Sequence, residues 1–315
     1  INDVRGASVW ALSSVYWEYQ TNLSEFIETF LTERVQKESY ESVRYTLLGL
    51  LFPLYNYNRD ICGSILEQLI NFYSEEDKAL EFLASARGRR LVWLLLHGET
   101  DIGKKLLHRL LQAQNENPRT VGAWLVFNAS YCEPDYDDLY DQICNKTIEY
   151  RRIAADVASQ WLMHTEYHDK AIERIKSFFN DEDEHVQRNA AQIFRKIKSE
   201  DIGRYHDLIL EYINSKSFQN DTFDFLLLLK ESQSDVHEYV MLSAQKIFEY
   251  YENPEISKSL QMRDCFYLDE LLEKEYTNSE YNPELRKQFL DIIDKMLELE
   301  VYGADKVVKA HDRHY

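Results

Sequence analysis

Residues Asp181–Lys198 read DEDEHVQRNAAQIFRKIK. The stretch opens with acids and closes with bases, the polarity that a helix dipole favours. Its apolar residues Val186, Ala190, Ala191, Phe194 and Ile197 fall at i, i+4, i+5, i+8 and i+11. That spacing is one face of a 3.6-residue period, so it predicts a helix over the stretch. The two alanines on the inward side would let a neighbouring helix come close.

The core Arg188-Asn189-Ala190-Ala191 has counterparts elsewhere. Arg152-Ile153-Ala154-Ala155 and Arg5-Gly6-Ala7-Ser8 share the pattern Arg-x-Ala-small, and Val43-Arg44-Tyr45-Thr46 is a weaker copy. Arg5 to Arg44 is 39 residues, Arg152 to Arg188 is 36, and Arg44 to Arg152 is 108, or three times 36. A period of roughly 36–40 residues built from two helices is the spacing of HEAT-type α-solenoids. Arg5, Arg44, Arg152 and Arg188 are therefore read as structural anchors, each reaching a neighbouring acid or carbonyl.

The rest of the chain supports an all-α fold. Helical patterns begin near Asn2, Leu23, Glu41 and Asn58, the third stopping by Pro53 or shortly after. Weaker ones cover the middle, and the last two run over Ile256–Tyr276 and Pro283–Leu299 before a short closing helix at Asp305–Arg313. The total is about eighteen helices in roughly nine antiparallel pairs. Only 9 of the 315 residues are glycine and 5 are proline, and no Ser/Gly/Pro linker divides the chain. One continuous array over residues 1–315 is preferred to two domains.

Composition narrows the function classes. The net charge of −19 repels phosphate backbones, which argues against direct nucleic-acid binding and for a basic or mixed-charge protein partner. No apolar run approaches the ~20 residues that span a bilayer. The cysteines Cys62, Cys132, Cys144 and Cys265 are dispersed, as expected of reduced thiols in a cytoplasmic protein. The chain opens on Ile1 without a signal peptide and is read as part of a longer one.

Four stretches could carry chemistry. Gly98-Glu-Thr-Asp-Ile-Gly103-Lys104-Lys105 follows an apolar run and precedes a helix, nearly a phosphate-binding loop. Lys105 stands where Ser or Thr would hold Mg²⁺, and the plainer reading puts Gly98 at a helix C-cap with a new helix from Asp101. His164 and His168 are four apart, and His311 and His314 three apart, but zinc needs a third ligand. Arg87-Gly88-Arg89-Arg90 could meet an acidic partner or a phosphate; the plainer reading is a turn whose arginines answer acids of the same chain. The acid-aromatic patch from Tyr131 to Asp141 carries Tyr131, Asp135, Tyr136, Asp137 and Tyr140. It would suit a basic, partly apolar protein surface, unless it is only the acidic first turn of the next helix.

A set of motifs resembles a known family. Asn2-Asp-Val-Arg-Gly-Ala-Ser8, Tyr40-Glu-Ser-Val-Arg44, Tyr57-Asn-Arg-Asp60, Leu285–Asp294, Tyr302-Gly-Ala-Asp305 and Asp312-Arg313 are similar to the C-terminal helical-repeat region of bacterial antiviral STAND (NACHT-type) ATPases. The matching residues lie towards both ends of the chain. The resemblance implies an upstream effector, commonly a nuclease, and an upstream nucleotide-binding oligomerisation module. The helical repeats would be the sensor for a viral protein, such as a terminase large subunit or a portal. Binding would relieve autoinhibition and drive oligomerisation. This part of the parent would then be non-catalytic, without cofactor, metal, nucleic acid or membrane contact. The rival expectations are a general HEAT-like scaffold binding a host protein, and a nucleotide-using enzyme built on Gly98–Lys105.

Overall fold

The computed structural model describes residues 4–253, 267–301 and 303. Among these, eighteen α-helices and four short 3-10 helices carry the chain, and no strand occurs. The protein is all-α. The described residues divide into two compact units, one within Ile1–Tyr150 and one within Arg151–Tyr315.

The first unit holds α1 (Val4–Glu18), α2 (Gln20–Lys37), α3 (Glu41–Tyr57), α4 (Arg59–Asn71), α5 (Glu76–Ala84), α6 (Ala86–His97), α7 (Asp101–Leu111), α8 (Glu116–Cys132) and α9 (Asp137–Cys144). These helices form two rows. In one, α1 packs on α3, α3 on α6, and α6 on α8; in the other, α2 packs on α4, and α4 on α5 and α7. Leu47, Leu50, Leu51, Leu66, Leu69, Leu91, Leu95, Leu106 and Leu110 are all buried.

Pro53 does not end its helix, which continues to Tyr57. Proline removes the N–H that would bond the carbonyl four residues back. That carbonyl belongs to Gly49, and the Ser13 hydroxyl of α1 donates to it at 3.1 Å. The tertiary contact supplies the donor that the local sequence lacks.

The second unit is entered through α10 (Ile148–Trp161). It continues with α11 (His168–Phe178), α12 (Glu184–Ala191), α13 (His206–Ile213), α14 (Lys216–Asn220), α15 (Phe223–Glu231), α16 (His237–Glu252), α17 (Leu268–Asn278) and α18 (Pro283–Glu298). The stretch Asp181–Lys198 is not the single helix that its periodicity predicts. Asp183 caps α12, accepting from the His185 and Val186 amides at 2.9 and 3.2 Å. The α-helix ends at Ala191 and tightens into a 3-10 turn over Gln192–Arg195. A second 3-10 segment, Ser199–Tyr205, precedes α13. The tightening lets Ile193 and Phe194, adjacent in sequence, both be buried.

Phe194 there joins an aromatic core. Its ring centroid lies 4.4 Å from Tyr212 and 4.9 Å from Phe225, and Phe179 and Phe218 also pack on Tyr212 at 5.3 and 5.5 Å. Ala190 and Ala191 are buried as expected, and α12 packs against α14. The Ser217 hydroxyl reaches the Gln187 carbonyl at 3.1 Å.

Side-chain bonds between packed helices that are not consecutive in the chain have a similar reach. In the first unit they join residues 36 apart (Ser13 to Gly49) and 39 apart (Tyr55 to Leu94). In the second they join residues 30 apart (Arg151 to Asp181), 33 apart (Ser232 to Ser199) and 44 apart (Lys274 to Lys230). The helix expected over Ile256–Tyr276 is described only from Tyr267 onward, and α17 begins at Leu268. The helix expected at Asp305–Arg313, with His311 and His314, lies outside the described residues, as does Cys265. Cys62 is a buried free thiol, and burial pushes it up to about 12. No helix among the described residues is long and apolar enough to cross a membrane.

Candidate functional site

The four anchor arginines do different jobs. Arg44 is fully buried. Its guanidinium donates to the carbonyls of Val35 at 2.9 Å, Glu38 at 3.0 Å and Leu69 at 2.6 Å. Val35 and Leu69 lie in the last turns of α2 and α4, and Glu38 is the residue that caps α2. Helix ends leave carbonyls without an intrahelical donor, and one planar fork serves both ends. The Phe72 ring covers the guanidinium at 3.8 Å. Arg5 stacks on Tyr40 at 4.2 Å and approaches Glu38 at 3.6 Å. Arg188 pairs with Glu184 of its own helix, at 3.4 Å. Arg152 is half-buried, and its main-chain carbonyl accepts from Asn189 at 3.2 Å. Sequence reasoning missed Glu38, a buried carboxylate that takes Arg34 at 2.8 Å and the Tyr40 amide at 2.9 Å. The available signal was the Arg34–Glu38 spacing of four just before a helix break.

Gly98–Lys105 forms a helix end, a turn and a helix start, with no strand before it. The Glu99 amide bonds the Leu96 carbonyl at 2.8 Å and the Thr100 amide bonds that of Leu95 at 3.0 Å, a Schellman pair. Gly98 is the C-cap of α6, as the sequence suggested, and the left-handed position falls on the next residue, Glu99, with φ of 56°. Gly98 instead makes room for Tyr55, whose hydroxyl would lie 2.6 Å from an added Cβ. Thr100 caps α7, its hydroxyl accepting from the Gly103 amide at 3.1 Å and donating to Leu95 at 2.9 Å. The amides a phosphate would need at Glu99, Thr100 and Gly103 are therefore already engaged. Gly103 is a packing residue, since a Cβ there would lie 2.7 Å from the Leu95 carbonyl carbon and 2.8 Å from the Leu96 nitrogen. Gly103→Ala is expected to force α6 and α7 apart and cost about 1–3 kcal/mol in urea unfolding; an unchanged midpoint would refute this.

The acid-aromatic patch divides. Tyr131 and Tyr140 are buried, at 4% and 7% exposure, and Tyr140 packs edge-on against Phe127 at 5.1 Å. This corrects their expected role as interface anchors, because both rings are spent on the core beneath α8 and α9. Asp135 is exposed, and Asp137 is half-buried at the start of α9. Tyr136 is half-buried; burial first, then Glu133 and Asp135, raise its phenol above the ordinary value and keep it a neutral donor.

Tyr136 and Asp135 meet the Gly98–Lys105 segment in one open cleft of about 360 Å³. Leu96, Leu107, Leu111 and Leu139 are its apolar lining, with Lys104 and His108 facing Glu99, Glu133 and Asp135. His97 stands 4.0 Å from Glu133 at the same end of α6. An apolar lining with charges of both signs fits a protein side chain with a polar tip.

His164 and His168 do not share a helix face, because a 3-10 turn at Thr165–Tyr167 separates them. His164 packs on Trp161 at 4.7 Å, while His168 lies 3.3 Å from Asp169. Among the described residues no three His, Cys, Asp or Glu side chains come together as a metal site. Among the described residues no acid pairs with Arg87, Arg89 or Arg90, contrary to the plainer expectation. They stack instead on Tyr45, Trp124 and Phe52, with the guanidinium carbon 5.1, 5.4 and 5.2 Å from the ring centroids.

Compared with known proteins, the chain matches no family model, no curated protein and no solved structure.

Proposed function

We propose that the chain is a non-catalytic protein-recognition array of HEAT-like helix pairs, continuous over residues 1–315. In this reading it is the sensor of an anti-phage STAND ATPase: it binds a viral protein of the terminase or portal class and triggers oligomerisation of the parent and its effector. It works in the cytoplasm and needs no cofactor. The observation that carries the array reading is the reach of the inter-helix side-chain bonds. Separations of 33 to 39 residues recur along the chain, close to the spacing of the Arg-x-Ala motifs. Substantial contacts join only helices close in chain order, the pattern of a stack in which each repeat touches its neighbours. The acidic surface supports a protein ligand over a nucleic acid, and the resemblance to defence ATPases supplies the viral class.

The test is capture with the 315-residue chain from phage-infected and uninfected bacterial lysates, read by mass spectrometry. The expected result is one viral protein enriched from the infected lysate alone. Host proteins enriched equally from both would move the reading to a general adaptor. Absence of any viral protein with both this chain and a parent ATPase carrying it would overturn the sensor role.

A further inference from the structure

The row α1–α3–α6–α8 carries a feature that the sensor reading does not use. Trp10 and Trp17 sit two turns apart on α1, 61% and 50% exposed. With Gly49 and Phe52 of α3 and Arg87 of α6 they line a cleft of about 230 Å³. Beside it, Arg87, Arg89 and Arg90 lie on the aromatic rings of the same row. None of the three has an ion pair with a carboxylate among the described residues, although the chain has 55 acids to 36 Lys and Arg. Arg87 makes one long bond, 3.4 Å, to the Tyr45 carbonyl.

Their position is locally unfavourable. All three occupy the first turns of α6, where no acid offsets them and the helix dipole already presents positive charge. A breach of a local rule without local compensation marks a site shaped by something else. Stacking also leaves chemistry available: a guanidinium lying on a ring uses its face, and the in-plane N–H groups not spent on the chain can meet a ligand. The rings hold the forks in place, which lowers the entropy lost on binding a carboxylate.

We propose that this row is a docking groove for an extended acidic peptide segment of a protein partner. Its carboxylates take the forks of Arg87, Arg89 and Arg90, and an apolar side chain enters between Trp10 and Trp17. This rests on the reading of the chain as a protein-recognition array and specifies the chemistry of one ligand. A peptide is favoured over a nucleic acid because phosphate-driven affinity draws on many backbone contacts, whereas three forks match a few carboxylates bidentately.

The test uses a displayed random dodecapeptide library selected on the intact chain and on an Arg87→Gln/Arg89→Gln/Arg90→Gln variant. Selected peptides are expected to be rich in Asp and Glu beside Trp, Phe or Leu. A labelled selected peptide should bind the triple variant at least about tenfold more weakly, the scale of one lost charge-assisted pair. It should shift tryptophan fluorescence, and Trp10→Ala should abolish that shift. Lysine at positions 89 and 90 should give an intermediate loss, since it keeps charge without the fork. If the triple variant melts early, Arg89→Gln/Arg90→Gln alone carries the test, because both side chains are exposed. Selection without acidic enrichment, equal binding to the variants, or tighter binding of a labelled oligodeoxythymidine would overturn the groove. Lysate capture that survives these substitutions would overturn the groove but leave the recognition function standing. Peptide binding without any viral capture would do the reverse.

Discussion

Replacing Arg44 with methionine should lower the stability of the chain by about 3–5 kcal/mol, the scale set by removing a buried charge whose two terminal nitrogens are engaged. The side chain is inaccessible to water, so nothing replaces the three N–H···O bonds to Val35, Glu38 and Leu69. Each carbonyl left buried and unpaired costs about 1 kcal/mol or more. Burial lowers the affinity of Arg44 for its proton, while Tyr73 and Glu38 partly restore it. The cation is retained because its donors are used, not because a single counter-ion holds it. Arg44→Lys should recover only part of the loss, since one ammonium cannot span two helix ends. Urea unfolding followed by far-ultraviolet circular dichroism reads both. Arg188→Met provides the contrast: its Glu184 partner is exposed and four residues away, so its loss should stay under about 1 kcal/mol. Equal effects at positions 44 and 188 would show that the repeated arginines act alike and that the two-ended cap is not what matters.

Tyr212→Ala should cost a similar amount, about 3–5 kcal/mol, by opening a cavity in the second unit. The ring is fully buried and touches Phe179, Phe194, Phe218 and Phe225. Its hydroxyl donates to the Asp221 carbonyl at the end of α14. Tyr212→Phe keeps the ring contacts and removes the hydroxyl's bond to Asp221, so it should cost about 1 kcal/mol. The same unfolding measurement separates the two contributions. A phenylalanine variant as unstable as the alanine variant would mean that the hydroxyl, and not the ring packing, holds α13 and α14 together.

The helical class was legible because amphipathic periodicity is written residue by residue. Val186, Ala190 and Ala191 face inward as their spacing demands. The glycine-rich segment was legible too, as a cap and a new helix from Asp101, because Thr100 and Gly103 carry local capping chemistry. Its left-handed residue was not legible. Gly98 is the C-cap that the sequence marks, but Tyr55, far away in sequence, is what requires a glycine there, and the left-handed residue is Glu99. The acid-aromatic patch was half legible: its acids mark the start of α9, but nothing local says that Tyr131 and Tyr140 are spent in the core.

By itself the sequence determined that this protein is helical, which helix faces turn inward, and where most helices begin. Each of those follows from side chains within a few residues of one another. Tertiary structure decided what no local window contains. It made Arg44 the cap of two helices and gave Ser13 to the Gly49 carbonyl above Pro53. It also broke the Asp181–Lys198 helix to bring Phe194 to Tyr212, and laid three arginines of α6 on rings from α3 and α8. The physical reason is common to all four: each depends on a partner 18 to 42 residues away in sequence, and that partnership exists only once neighbouring helices have packed.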